Sequence, residues 1–340
     1  MKKIKFYLPK GTINDATEYY CKLIERAFIM EGFNVVWTVS INEIDDGDNL
    51  LTIRAIDLVS ITANTKFTIN WFQGIISEEC KLLYSNPIKR FLFSKYYGFK
   101  EKKALSRANL CLFVSERMCS YYESKYKLTL KRKSIVIPCY NLPLNPELIL
   151  SGTNRYRKLS FVYAGGLFAW QCIDETLLIF KEINKLNSNA ELVILTGEQE
   201  EARKLVERLG LTNVIVKHVD LDKLQSELAK YKYGFLVRKE HIVNNVATPT
   251  KMNSYLAAGL IPIYTTVIDS FEKNINLEEF TLKVSNTESY LKIAKKIIAF
   301  DNSCRIAPTR LLDVYQKVFS SYYNDDLYMN ELSKSVKMIY

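Results

Sequence analysis

At 340 residues the chain exceeds the usual size of one hydrophobic core and suits two domains of about 150 residues each. Apolar residues make up 48% and charged residues 25%, with no low-complexity tract or fixed-period repeat, which excludes a disordered chain. No run of about 18 apolar residues occurs, which excludes a membrane-spanning helix. The net charge of +10 is unevenly placed: residues 81–133 hold fourteen Lys or Arg against three Glu, so the positive field belongs to the N-terminal half. The basic start is followed only by Phe6, Tyr7 and Leu8 before Pro9, too short an apolar core for a signal peptide. Seven cysteines without a Cys-x-x-Cys pair read as reduced thiols in a cytosol.

In chain order, short β-branched or aromatic runs alternate with helical patterns, the signature of parallel sheets with crossover helices. The first half reads as strand IKFYL, a helix from Asp15 to about Met30 with Asp15 as cap, then strands NVVWTV, IDLVSI, LCLFVS and SIVIP. Between them, NPIKRFLFSKYYGFKEKK interleaves Lys89, Arg90, Lys95, Lys100, Lys102 and Lys103 with Phe91, Phe93, Tyr96, Tyr97 and Phe99. That mixture suits anionic lipid headgroups, where rings sit at the interface and each cation adds about 1 kcal/mol; nucleic acid is not the expected partner. Pro143, Pro146, Ser151, Gly152 and Asn154 mark a boundary, giving domains 1–150 and 151–308.

The second half reads as strand LSFVYA, the turn Gly165-Gly166, a helix over 173–186, strand LVILT, a helix to Leu209, strand VIVKHV and a helix over 221–231. Strand GFLVR, a loop, a helix opening at Pro249, strands LIPIYT and FTLKV and a helix over 287–300 follow, a six-strand doubly wound pattern. A last helix over 309–323 is expected to pack back on the first domain. The fold class is α/β, with two Rossmann-like domains facing a cleft.

The glycine pair after a buried strand lets backbone N–H groups approach an anion. In VRKEHIVNNVATPTKMNSYLAAGLIPI, Thr248 is the expected N-cap, Pro249 the first helical residue and Gly259 the residue past the end. Lys251 then stands in the first turn, where a cation opposes the helix dipole, a choice that makes sense if an anion arrives. Arg238, at the carboxyl end of strand GFLVR, lies where ligands bind in open α/β sheets. Together the two cations suit a leaving diphosphate. Glu78 and Glu79 are the candidate acids of the first half, which has no histidine, while His241 is read as a loop residue. Asp45-Asp46-Gly47-Asp48 reads as a polar turn, so neither metal nor cofactor is expected.

YAGGLFAWQ and the 237–263 stretch resemble the retaining group 1, family 4-like glycosyltransferases of bacterial polysaccharide synthesis, which have the GT-B fold; NWFQGIISEE and ANLCLFVSERMCSYYESKYKL look like that family's acceptor domain. The resemblance implies transfer, with retention, from a nucleotide-diphosphate sugar; with residues 81–107 as a docking face, a saccharide or lipid-linked acceptor presented at the inner membrane face is expected. It implies that Arg238 and Lys251 hold the diphosphate and that Gly165, Gly166, Val219, Asn245, Thr250 and Ser254 contact the donor. The family commonly has a glutamate pair that here falls on Val246 and Ser254, and a serine makes a weaker bond to ribose than a carboxylate. Rival readings are a nucleotide-sugar epimerase of the same architecture and a non-catalytic nucleotide-sugar-binding protein.

Overall fold

The computed structural model describes residues 2–339, apart from the side chains of Asp15, Ala16, Met338 and Ile339. The chain forms two compact units: one takes the residues up to Cys139, Val246–Thr248 and those from Asn324, the other Tyr140–Asn245 and Pro249–Tyr323.

The first unit contains β1 (Lys2–Tyr7), α1 (Asp15–Met30), β2 (Phe33–Thr38), β3 (Asn49–Thr52), α2 (Ala55–Ser60), β4 (Phe67–Phe72), α3 (Ile76–Leu83), α4 (Pro87–Arg107), β5 (Leu110–Phe113), α5 (Glu116–Tyr126) and β6 (Ser134–Val136). Its sheet runs β2-β1-β3-β4-β5-β6, parallel throughout. Helix α1 lies on the sheet through Phe28, edge-on to Phe6 at 6.3 Å. Its cap is Asn14 rather than Asp15: Asn14 Oδ1 accepts the Thr17 N–H at 3.0 Å and Thr17 Oγ1 accepts that of Asn14 at 2.7 Å, a reciprocal capping box.

IDLVSI, expected as a strand, is helix α2. Its first turn is pinned by Arg54, which grips Asp57 through two bonds of 2.7 and 2.8 Å, and a short apolar run has too little periodicity to decide between the two states. The strands there are instead β3 and β4, whose buried polar residues hide them in sequence. Their hydroxyls and one amide find partners close by: Asn49 donates to Lys3 O at 2.6 Å, Thr52 to Asn70 Oδ1 at 2.7 Å and Thr68 to Arg107 O, at the end of α4, at 3.1 Å.

The second unit contains α6 (Pro146–Ser151), β7 (Ser160–Ala164), α7 (Ile173–Leu186), β8 (Glu191–Leu195), α8 (Gln199–Arg208), β9 (Val214–Lys217), α9 (Leu221–Leu228), β10 (Tyr233–Leu236), α10 (Ile242–Asn245), α11 (Thr250–Ala257), β11 (Ile261–Thr265), α12 (Asp269–Asn274), β12 (Leu282–Val284), α13 (Tyr290–Ser303) and α14 (Pro308–Ser321). The six expected strands form one parallel sheet, β12-β11-β10-β7-β8-β9. Its central strands are buried along their whole length, as helices on both faces of a parallel sheet require. Phe161 stacks on Tyr233 and Phe235 at 5.3 and 5.1 Å.

The helix expected to pack back on the first domain is α14, and it stays in the second unit, where Tyr315 Oη donates to Leu260 O at 2.7 Å. A further helix, α15 (Asp325–Ile339), joins the first unit instead. It docks on α1 through Asp325, which accepts from Tyr19 Oη at 2.7 Å and from Arg26 at 2.5 Å. Tyr328, Leu332 and Val336 bury its inner face, an i, i+4, i+8 stripe that the sequence does carry.

Candidate functional site

In the second sheet β7, β8 and β9 wind one way from the centre and β10, β11 and β12 the other. The carboxyl ends of β7 and β10 therefore flank the topological switch point, the crevice where open α/β sheets bind ligands. Gly165 and Gly166 follow β7, and Arg238 stands two residues beyond β10. Helix α11 reaches this point because Gly234, in β10, lets it come close: a Cβ there would lie 2.5 Å from the Tyr255 ring. Tyr255 Oη donates to Phe235 O at 3.0 Å and accepts from Ala164 N at 3.2 Å, tying α11 to both strands.

Lys251 is the second residue of α11. The helix opens one residue later than expected, and its N-cap is Pro249 with no side-chain cap bond. Thr248 does not cap it; its hydroxyl accepts the Cys139 N–H at 2.9 Å. Gly259, at φ +78°, does follow the helix end.

Arg238 and Lys251 are 3% and 8% exposed, so Lys251 is not the surface lysine that a first-turn position implies. Arg238 donates to Trp170 O at 2.5 Å, Gln171 Oε1 at 2.6 Å and Asn244 Oδ1 at 3.3 Å. Lys251 Nζ donates to the same Gln171 oxygen at 2.6 Å and lies 4.0 Å from the centroid of the Tyr163 ring. Every one of these acceptors is neutral. Burial and the neighbouring guanidinium hold the Lys251 ammonium well below its ordinary value, and burial lowers that of Arg238 as well. Removing such charges from water costs several kcal/mol per ion, which an arriving anion offsets.

Gly165 has φ +131°, and a Cβ on it would lie 2.6 Å from Lys251 Cε and 3.0 Å from Nζ. The glycine thus gives passage to the lysine stem. The turn offers fewer amides than its sequence suggests, because Gly165 N donates to Leu195 O and Leu167 N to Glu198 Oε2, both at 2.8 Å. Tyr163 Oη donates to Gly166 O at 2.6 Å, fixing the turn from below.

Gly165, Arg238 and Lys251 therefore converge. Ser254 lies one turn along α11, its hydroxyl donating to Thr250 O at 3.1 Å within the helix. Asn245 donates to Val267 O at 2.9 Å, and Val219 is half-buried beyond β9. His241 Nδ1 accepts the Val243 N–H at 3.2 Å, at the start of α10. The residues missed in sequence are Tyr163, Trp170, Gln171, Glu198 and Asn244. Trp170 and Gln171 sit in the motif YAGGLFAWQ, but a neutral amide carries no charge signal to single it out.

In the first unit, α4 turns its N-terminal two-thirds outward: Phe91 and Phe99 are 62% and 63% exposed. Lys89, Arg90, Lys95, Lys102 and Lys103 are exposed and Lys100 half-buried on the same helix. A cavity of about 320 Å³ is lined by Arg54, Trp71, Phe72, Gln73, Tyr97 and Lys100 among others. Neither candidate acid is simply solvated. Glu78 accepts from Lys81, Lys125 and Tyr121 at 2.7, 2.9 and 2.7 Å, and these partners outweigh its burial and hold it at about 2. Glu79 packs against Gly74; burial, reinforced by Glu101, pushes its carboxyl up to about 7.

Two six-strand parallel sheets, each with its crossover helices, are the GT-B fold of glycosyltransferases. No protein-family profile matches the chain, and no curated protein does. Among solved structures, HepE from Anabaena in complex with UDP-glucose is 12% identical with a TM-score of 0.70, covering 99% of this chain and 100% of that one. Sucrose-phosphate synthase from Thermosynechococcus elongatus is 11% identical with a TM-score of 0.67 over the whole of both chains. A TarM variant from S. aureus, solved with fondaparinux, alpha-GlcNAc-glycerol and UDP, is 10% identical with a TM-score of 0.59; the match takes in 86% of this chain but 55% of TarM.

Proposed function

We propose that the chain is a glycosyltransferase that takes a sugar from a nucleotide-diphosphate donor held by the second unit. The observation that carries this is the pair Arg238 and Lys251, two buried cations facing neutral acceptors at the switch point of the sheet. A diphosphate gains charge as the glycosidic bond breaks, and preorganised cations in a dry site stabilise that charge most. The UDP-glucose and UDP complexes of HepE and TarM support a nucleotide donor. Retention of configuration follows from the sequence resemblance to retaining enzymes, in which the leaving phosphate itself takes the acceptor proton.

Within this reading the first unit takes the acceptor. Its cavity, with Trp71, Tyr97 and Phe72 beside Arg54 and Gln73, offers rings and polar groups of the kind that hold a saccharide. The exposed rings and cations of α4 suit an anionic bilayer, so we assign a lipid-linked acceptor of polysaccharide synthesis and peripheral attachment at the inner face of the membrane. Thermal-shift screening against UDP-, GDP-, ADP- and dTDP-sugars tests the donor assignment, because a ligand at 100 times its dissociation constant stabilises by about 2.7 kcal/mol. A shift with none of the four contradicts it.

A non-catalytic sugar-nucleotide-binding role rests on one observation: Ser254 replaces the carboxylate expected at the ribose and spends its hydroxyl on Thr250 O. Donor binding without sugar release distinguishes that role.

A further inference from the structure

We infer that Gln171 is a built-in competitor for the diphosphate, its amide oxygen occupying the anion position until the donor displaces it. The inference rests on the reading of Arg238 and Lys251 as the diphosphate site. Both cations donate to the single oxygen Gln171 Oε1, each at 2.6 Å. Only the oxygen of an amide can face two donors, since its nitrogen is itself a donor. The point where the two buried charges converge is therefore filled by the weakest kind of acceptor that satisfies both. A phosphate oxygen at that point makes charge-assisted bonds, roughly twice as strong as those to a neutral amide. The two acceptors cannot share the position.

The segment that carries Gln171 is short and ends on a strained residue. It is a single 3-10 turn, Ala169–Gln171, ending at Cys172 in the left-handed region at φ +54° without being a glycine, a conformation that costs about 1–3 kcal/mol and persists only where the surroundings impose it. Those surroundings include the site's own bonds: Arg238 holds Trp170 O, and Cys172 Sγ accepts the Lys239 N–H at 3.3 Å, while Cys172 O accepts from Thr176 of α7. Just ahead of the turn, Phe168 is 49% exposed and stacks on Trp170 at 4.9 Å with an interplanar angle of 6°. Gln171 adjoins Trp170 in this same turn, so moving Gln171 aside couples donor binding to the position of the pair.

The test is calorimetric binding of inorganic pyrophosphate and of UDP to the full chain and to Gln171→Ala, Gln171→Met and Gln171→Glu, with Lys251→Ala as a control. A competitor predicts that Gln171→Ala binds pyrophosphate more tightly, on the order of tenfold, the equivalent of one hydrogen bond to a charged group. Gln171→Met removes the acceptor while keeping the side chain's bulk and predicts the same direction. Gln171→Glu places a carboxylate between the cations and predicts weaker binding together with a higher unfolding temperature. A purely structural role lowers stability and affinity together, and a direct contact to the bound anion also lowers affinity. Weaker pyrophosphate binding by both Gln171→Ala and Gln171→Met, with Lys251→Ala still abolishing it, overturns the competitor role and spares the site. Binding undiminished by Lys251→Ala, or absent from every variant including the parent chain, overturns both.

Discussion

Lys251 passes through the space that a side chain at Gly165 would fill, its Cε only 2.6 Å from where that Cβ would stand. Gly165→Ala must therefore push Lys251 aside as well as force a strained backbone at φ +131°, a conformation whose strain costs about 1–3 kcal/mol. The expected outcome is a lowered unfolding temperature and lost nucleotide binding in one substitution. Gly197→Ala, at a glycine whose added Cβ meets nothing within 4 Å, is the control, and circular dichroism with calorimetry reads both.

Lys251→Met separates stability from function. It removes a buried cation that has only a neutral acceptor, so the ligand-free protein gains on the order of 1 kcal/mol or more, while the nucleotide-induced thermal shift disappears. The pH dependence has a definite sign. The unfolded chain keeps this proton up to about the ordinary value of 10.5, whereas the folded site releases it at lower pH. The unfolded state therefore binds more protons in that window, and parental stability climbs with pH through it. Lys251→Met lacks that component of the climb. Pyrophosphate binding favours the charged lysine and takes up a proton, visible as a binding enthalpy that depends on the ionisation enthalpy of the buffer.

The sequence carried the second unit well and the first unit less well, for a physical reason. Strands β7, β8, β10 and β11 are nearly continuous apolar runs bounded by glycine or polar residues, the clearest signal a parallel strand can give. Strands β3 and β4 bury Asn49, Thr52, Thr68 and Asn70, so composition argued against them until their partners were known. At the site, charge marked Arg238 and Lys251, and the depth of Lys251 was invisible because the position that buries it depends on Gly234 and Tyr255 meeting across the unit. Gln171 was not legible at all, since its importance lies in two bonds from residues 67 and 80 positions away.

Glu79 gives a separate pH signature in the first unit. Its folded-state value of about 7 lies above the ordinary 4.5, so the folded protein binds the extra proton. Its contribution to stability is fully present below 4.5 and is lost as pH rises through about 7. Glu79→Gln removes this decline, which urea denaturation at about pH 5 and about pH 8 measures directly.

On α4, changing Lys95, Lys100, Lys102 and Lys103 to Ser lowers affinity for anionic vesicles at low salt by on the order of a hundredfold or more, at about 1 kcal/mol per cation. Nucleotide binding is unchanged. Phe91→Ser with Phe99→Ser weakens vesicle binding through lost apolar contact, an effect that persists at high salt where the lysine effect fades.

Stabilisation of a leaving diphosphate by Arg238 and Lys251 is read most directly from turnover of the nucleotide sugar that gives the largest thermal shift, in the parent chain and in Lys251→Ala. Donor consumption and sugar transfer are followed together, with folding checked by circular dichroism. Loss of one preorganised electrostatic donor predicts a turnover lower by about a hundred- to a thousandfold, or roughly 2.7–4 kcal/mol, with Ser254→Ala costing less. Near-parental turnover by a folded Lys251→Ala contradicts the diphosphate assignment.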